Sequence, residues 1–131
     1  MAESASVATA PLVLVADDEG SICDLVSEVL AEAGFRTVTA GDGEEVLHLA
    51  RQHQPVLIVL DVMMPRMDGF QALEALKRDP TTKAIPVFML TVKGKEMDRL
   101  RGLQMGIAAY ITKPFSPNAL LARIDETLRP A

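Results

Sequence analysis

At 131 residues, 49% apolar and 24% charged, the chain reads as one compact soluble domain, with no linker and no second block of composition. No apolar stretch approaches a membrane span, and residues 1–10 lack the basic start and apolar centre of a signal peptide, so a frayed tail over 1–10, a domain over 11–129 and a cytoplasmic location are expected. Cys23 is the only cysteine, which excludes an intrachain disulfide and fits a reducing compartment, and the net charge of -5 argues against nucleic acid as the direct partner.

Strand-like and helix-like segments then alternate to the end. Leu12 to Ala16 is a short apolar strand running into Asp17-Asp18-Glu19. Ile22, Leu25, Val26, Val29 and Ala33 recur at helical spacing, and Gly34 stands where a helix C-cap glycine would. Phe35 to Ala40 is a weaker, partly polar strand. Glu44 to His53 is helical, with Val46, Leu47 and Ala50 as its buried face. Val56 to Asp61 is the third strand, whose unbroken apolar run marks burial on both faces. Phe70 to Lys77 is a helix with Phe70, Leu73 and Leu76 inward, ended by Asp79-Pro80.

Pro86 to Leu90 is the fourth strand, followed by Thr91; Met97, Leu100 and Leu103 mark a fourth helix that stops at Gly106. Ala108 to Thr112 is a fifth strand. Ser116 has the chemistry of an N-cap, and Pro117 suits the first helical position because its missing N–H is not needed there. Leu120, Leu121, Ile124 and Leu128 line the last helix. Five strands alternating with five helices imply an α/β fold, a parallel sheet covered on both faces. Of the common doubly wound arrangements, five strands suit the flavodoxin-like order 2-1-3-4-5.

Ligands of such sheets bind at the C-terminal edge. There the first strand delivers Asp17 and Asp18, the third Asp61, the fourth Thr91 and the fifth Lys113. Two carboxylates about 5 Å apart repel by roughly 3 kcal/mol at an effective dielectric near 20. The cluster therefore calls for a cation or a protonated acid. An all-oxygen, highly charged donor set suits Mg²⁺, for which Mn²⁺ can substitute. Taken singly, Asp61 could be a strand-ending acid that opens a turn, and Asp17 and Asp18 could cap the first helix. That leaves the juxtaposition of Asp61 with Lys113 unexplained.

The residues Asp17-Asp18-Glu19, Leu60-Asp61-Val62-Met63-Met64-Pro65-Arg66-Met67-Asp68-Gly69, Thr91 and Tyr110-Ile111-Thr112-Lys113-Pro114-Phe115 together resemble the receiver domain of two-component response regulators. The likeness covers Leu12 to Leu128, and four pieces in this order are far more specific than any one. It implies that Asp61 accepts a phosphoryl group. Asp17, Asp18, Asp61 and the Met63 backbone carbonyl would hold Mg²⁺. Thr91 would hydrogen-bond a phosphoryl oxygen and Lys113 would pair with its charge. It further implies a cis peptide before Pro114, and a switch in which Thr91 moves toward the phosphoryl group while Tyr110 turns inward behind it. On residue type alone Tyr110 is equally a half-buried aromatic with its hydroxyl in water.

Two positions depart from the family. Val92 stands where receivers carry a small residue, and Ala109 replaces a common acid. With Met63 and Lys93, Val92 is expected at the mouth of the site, where it would set phosphoryl lifetime. His48 and His53 show no metal-ligand pattern, Cys23 reads as packing, the methionines as core or turn filler, and Lys93-Gly94-Lys95 as a solvated loop.

The resemblance implies a phosphorylated switch served by a histidine kinase or histidine phosphotransfer protein. It would act on a downstream protein through its fourth helix, fifth strand and last helix, as a monomer or a phosphorylation-linked dimer, without nucleic acid or membrane. It is not an enzyme beyond its own phosphorylation and dephosphorylation. The alternatives are a phosphorylation-independent interaction module of the same fold, and a small aspartyl-phosphate hydrolase. The intact acid set, Thr91 and Lys113 argue against the first; the lack of a second general acid or a substrate-selecting cap argues against the second.

Overall fold

The computed structural model describes residues 10–92 and 96–128. Strands β1 (Leu12–Ala16), β2 (Arg36–Ala40), β3 (Leu57–Asp61), β4 (Val87–Val92) and β5 (Ala109–Lys113) alternate with helices α1 (Gly20–Glu32), α2 (Gly43–His53), α3 (Gly69–Arg78), α4 (Glu96–Gln104) and α5 (Pro117–Leu128). The sheet is parallel throughout, in the order β2-β1-β3-β4-β5 expected from the sequence. The tail expected over 1–10 lies outside the described residues except for Ala10, as does the Lys93–Lys95 loop.

Strand alternation sorts the core into two layers. Leu14, Ala16, Ile58, Leu60, Val87 and Met89 pack with Val46 and Ala50 of α2 and with Phe70, Leu73 and Leu76 of α3. Val13, Val15, Leu57, Val59, Phe88 and Leu90 pack with Cys23, Val26 and Leu30 of α1 and Leu120 and Ile124 of α5. Each fully buried aliphatic side chain is worth about 1.5–3 kcal/mol of transfer free energy, so the central strands dominate stability. Glycine ends α1 as the sequence indicates: Gly34 has φ +96, its N–H donates to Ala31 and the Phe35 N–H donates to Leu30, which together satisfy two terminal carbonyls. The Ser116 hydroxyl accepts the Ala119 N–H at 3.3 Å, as its place before Pro117 foretold.

Helical spacing placed the helices correctly, and the structure adds which faces they bury. On α1 the buried face is Cys23, Val26 and Leu30, while Leu25 and Ala33, which share the helical spacing, face outward. On α4 the residues that marked the helix are its exposed face: Met97, Leu100 and Leu103 are 77%, 48% and 47% exposed. Its close approach to the fold is at Gly102, where an added Cβ would lie 2.9 Å from the Ile107 side chain. The methionines divide, with Met64 and Met89 buried but Met63 and Met97 largely in solvent.

No helix among the described residues is long and apolar enough to cross a membrane.

Candidate functional site

β1, β3 and β5 deliver their polar ends on one side of the sheet. Asp17 continues the alternation of Val13 and Val15, Asp61 that of Leu57 and Val59, and Lys113 that of Ala109 and Ile111, all toward α1 and α5. Thr91 continues the opposite alternation, with Val87 and Met89, on the side where Tyr110 packs. Pairing of Met89 with Tyr110 and of Thr91 with Thr112 makes Thr91 and Tyr110 near neighbours across β4 and β5. Period two thus explains both groupings without any loop geometry.

The ammonium of Lys113 lies 2.7 Å from Asp17 Oδ2 and 3.3 Å from Asp61 Oδ1. Asp17 Oδ1 accepts the Glu19 N–H at 2.9 Å, the Asp17 N–H donates to the Ala40 carbonyl at 3.1 Å, and the Cys23 thiol donates to the Asp17 carbonyl at 3.3 Å. Asp17 is thereby fixed from four directions. It does not cap α1 by itself, since the N-cap residue is Glu19 and the cap makes no side-chain hydrogen bond. Cys23 is a packing residue as expected, its thiol pushed up by burial and then by the Asp17 charge.

Burial, reinforced by the charge of Asp17, raises the Asp61 carboxyl to about 6, against the pull of Lys113 and of the Met63 amide. Burial also works against the Lys113 ammonium, but its hydrogen bond to Asp17 and the charges of Asp61 and Asp17 outweigh it and leave its pKa above the ordinary value. Lys113 is therefore a fixed cation at working pH.

Asp17, Asp18 and Asp61 offer carboxylate oxygens within 4.8 Å of one another, with Asp18 exposed and the other two buried. One ammonium does not balance three acids. Oxygen donors of this number and sign fit a hard divalent cation. A cleft of about 170 Å³, lined by Asp18, Glu19, Asp61, Met63, Thr91, Val92 and Lys113, opens over these groups. Met63 and Val92 are 71% and 50% exposed at its rim.

The structure thus brings together Asp17, Asp18, Asp61, Thr91, Lys113, Met63 and Val92, and it sets Tyr110 behind Thr91, half-buried against the core. The Lys113–Pro114 peptide bond is cis. Lys93 falls outside the described residues, and His48 and His53 are exposed and away from the cluster. Glu19 received no role from the sequence, yet it lines the cleft with a carboxylate oxygen 3.9 Å from the Lys113 ammonium. The available signal was its place as the third acid in a row after a buried strand.

A family model described as the response regulator receiver domain matches residues 13–125. The chain belongs to that family. This receiver is 45% identical over 117 residues to the phosphate regulon transcriptional regulatory protein PhoB of Escherichia coli K12, covering 89% of this chain and 51% of that protein. It is 44% identical to the alkaline phosphatase synthesis transcriptional regulatory protein PhoP of Bacillus subtilis, over 89% of this chain and 48% of that one. The chain thus spans about half the length of the curated relatives it matches. Among solved structures, the chemotaxis response regulator CheY4 of Vibrio cholerae superposes with a TM-score of 0.85 at 35% identity, over 92% of this receiver and all (100%) of that chain. The receiver domain of the Francisella response regulator 1452 superposes with a TM-score of 0.81 at 35% identity, over 88% and 94% of the two chains. Family and acid cluster together make this a phospho-accepting signalling domain.

Proposed function

We propose that Asp61 is the phosphoryl acceptor and that Asp17, Asp18, Asp61 and the Met63 carbonyl hold the Mg²⁺ on which acceptance depends. The observation that carries this reading is the Lys113 ammonium 3.3 Å from Asp61 Oδ1, inside an acid cluster that opens to a cleft lined by Thr91. The donor is a phosphohistidine of a kinase or phosphotransfer protein, met in the cytoplasm. An Asp61 carboxylate oxygen forms a bond to phosphorus while the bond from phosphorus to the donor imidazole nitrogen breaks, and the imidazole leaves. When bound, the dication offsets the repulsion between the acids and the charge of the incoming phosphoryl oxygens.

Lys113, already held by Asp17, pairs with that charge without having to be recruited. Asp17 orients Lys113, and the Thr91 hydroxyl donates to a phosphoryl oxygen. Thr91 and Tyr110 share one face of the sheet, so a pull on the hydroxyl vacates space toward which Tyr110 can turn. The surface of α4, β5 and α5 carries the result to a downstream protein.

The test is incubation with Mg²⁺ and a small acyl phosphate, followed by intact mass measurement. A phosphoryl adduct is expected on the unsubstituted chain and none on Asp61→Asn. No adduct on the unsubstituted chain, or an equal one on Asp61→Asn, overturns the assignment.

A further inference from the structure

The loop between β3 and α3, residues 62–68, carries the Met63 carbonyl, and its two ends are pinned separately. The Val62 N–H donates to the Leu90 carbonyl at 3.0 Å and the Gly69 N–H to the Val62 carbonyl at 2.8 Å. Asp68 and Gln71 exchange the two hydrogen bonds of a capping box at the start of α3. Between these pins the Met67 N–H donates to the Pro65 carbonyl at 2.7 Å, closing a three-residue turn around Arg66, whose φ is +66°. A γ-turn with positive φ is rare and strained, and arginine has none of glycine's tolerance for it. Such a conformation persists only where its surroundings hold it.

What holds it here is the side chain of Arg66 itself. Its Nη1 lies 2.6 Å from Asp42 Oδ2, and Asp42 Oδ1 accepts the Glu45 N–H at 2.9 Å as the N-cap of α2. The Asp42 carboxyl is held below its ordinary range by that backbone hydrogen bond and by Arg66. Beside it, Gly43 leaves room for the Met67 backbone: a Cβ at position 43 would overlap the Met67 carbonyl oxygen. The N-terminus of α2 is thus moulded to the turn by one ion pair and one missing side chain.

We propose that Arg66 is a positioning residue for the metal site, its tie to Asp42 holding the strained turn and so the Met63 carbonyl where the three acids need a further oxygen. This inference rests on the receiver reading above. The Arg66 side chain is 67% exposed. The pair therefore adds little as a salt bridge, and its effect runs through the conformation of the loop. Charge alone predicts the opposite sign, because removing a cation near a metal site strengthens metal binding.

The deciding experiment is calorimetric titration of the chain with Mg²⁺, with circular dichroism showing that each variant is folded. Arg66→Ala is expected to bind about fivefold more weakly, the most that an exposed tie of this kind can pass on through the loop. Asp42→Asn, which keeps the helix cap but loses the charge, is expected to fall with it. Arg66→Gly, which takes positive φ without a tie, is expected to return to within about twofold of the unsubstituted chain. Arg66→Ala binding as tightly as the unsubstituted chain or more so overturns the proposal, and so does an equal loss in Arg66→Ala and Arg66→Gly. Failure of the unsubstituted chain to bind Mg²⁺ overturns both this inference and the reading beneath it.

Discussion

The two flanks of the site are packed to different standards. On the β1 and β3 flank, Asp17 is fixed from four directions, and α1 behind it buries Cys23, Val26 and Leu30. On the β4 and β5 flank, α4 turns Met97, Leu100 and Leu103 outward and touches the fold closely through Gly102, with Arg101 stacked 4.3 Å from the centre of the Phe70 ring. The difference separates two tasks. Binding a dication and a phosphoryl group needs donors that do not move, whereas passing the event to a partner needs an element whose position is cheaply changed.

The largest expected contrast is functional. Tyr110 is the only tyrosine and there is no tryptophan, so intrinsic fluorescence reports on that one ring. Phosphorylation should change the emission of the unsubstituted chain, while Thr91→Ala should keep the adduct on Asp61 and lose the change. An unaltered fluorescence response in Thr91→Ala would break the division between the flanks.

Next comes stability. Leu30→Ala on α1 should cost about 2–5 kcal/mol in urea unfolding, as large-to-small changes in a tight core do. Leu100→Ala on α4 should cost less than about 0.5 kcal/mol, as surface changes do. Similar costs at the two positions would mean that α4 is held as firmly as α1.

The pH dependence sharpens the picture of the rigid flank. Asp61 ionises at about 6 in the folded chain against 3.8 ordinarily. Between these values the folded state holds a proton that the unfolded state has lost, so without metal the protein loses stability as pH rises from about 4 to about 6. Asp61→Asn should therefore be the more stable form at pH 7 without Mg²⁺, by on the order of 1–3 kcal/mol. The gap should close near pH 4 and shrink at pH 7 when Mg²⁺ is added. Denaturant melts across that range check it, and equal stability at pH 7 would show that Lys113 already balances the acids.

The smallest effect is at the rim. Val92→Ala should speed both phosphorylation and hydrolysis by about threefold, equivalent to roughly 0.7 kcal/mol of barrier. Unchanged rates would show that Val92 does not gate the cleft.

Element order and the acids at the sheet edge were legible from residue pattern, because buried parallel strands announce themselves as apolar runs that stop at polar residues, whereas strand order came from the number of strands set against the common doubly wound arrangements. Helix faces were less so. Leu25 and Ala33 keep helical spacing with the true core of α1 but lie on its solvent side, and the apolar residues of α4 signal a helix without saying that they are exposed. Periodicity finds a stripe; only the packed neighbours decide what covers it. The pairing of Arg66 with Asp42 joins residues 24 positions apart through a strained turn and carries no sequence signal. The hold of Asp17 on Lys113, 96 positions apart, is equally hidden until β5 is laid beside the site.

The alternation that sends Asp17, Asp61 and Lys113 to one side and Thr91 to the other has a consequence for how this site tolerates change. A single residue inserted within β4 ahead of Thr91 would turn the hydroxyl over to the α1 side, and with it the face shared with Tyr110. An insertion in the connection between α4 and β5, or in the one between α2 and β3, would leave every one of these groups where it stands. The site is addressed by counting along strands, so length is free to vary in the connections at the opposite edge of the sheet and forbidden to vary within the strands.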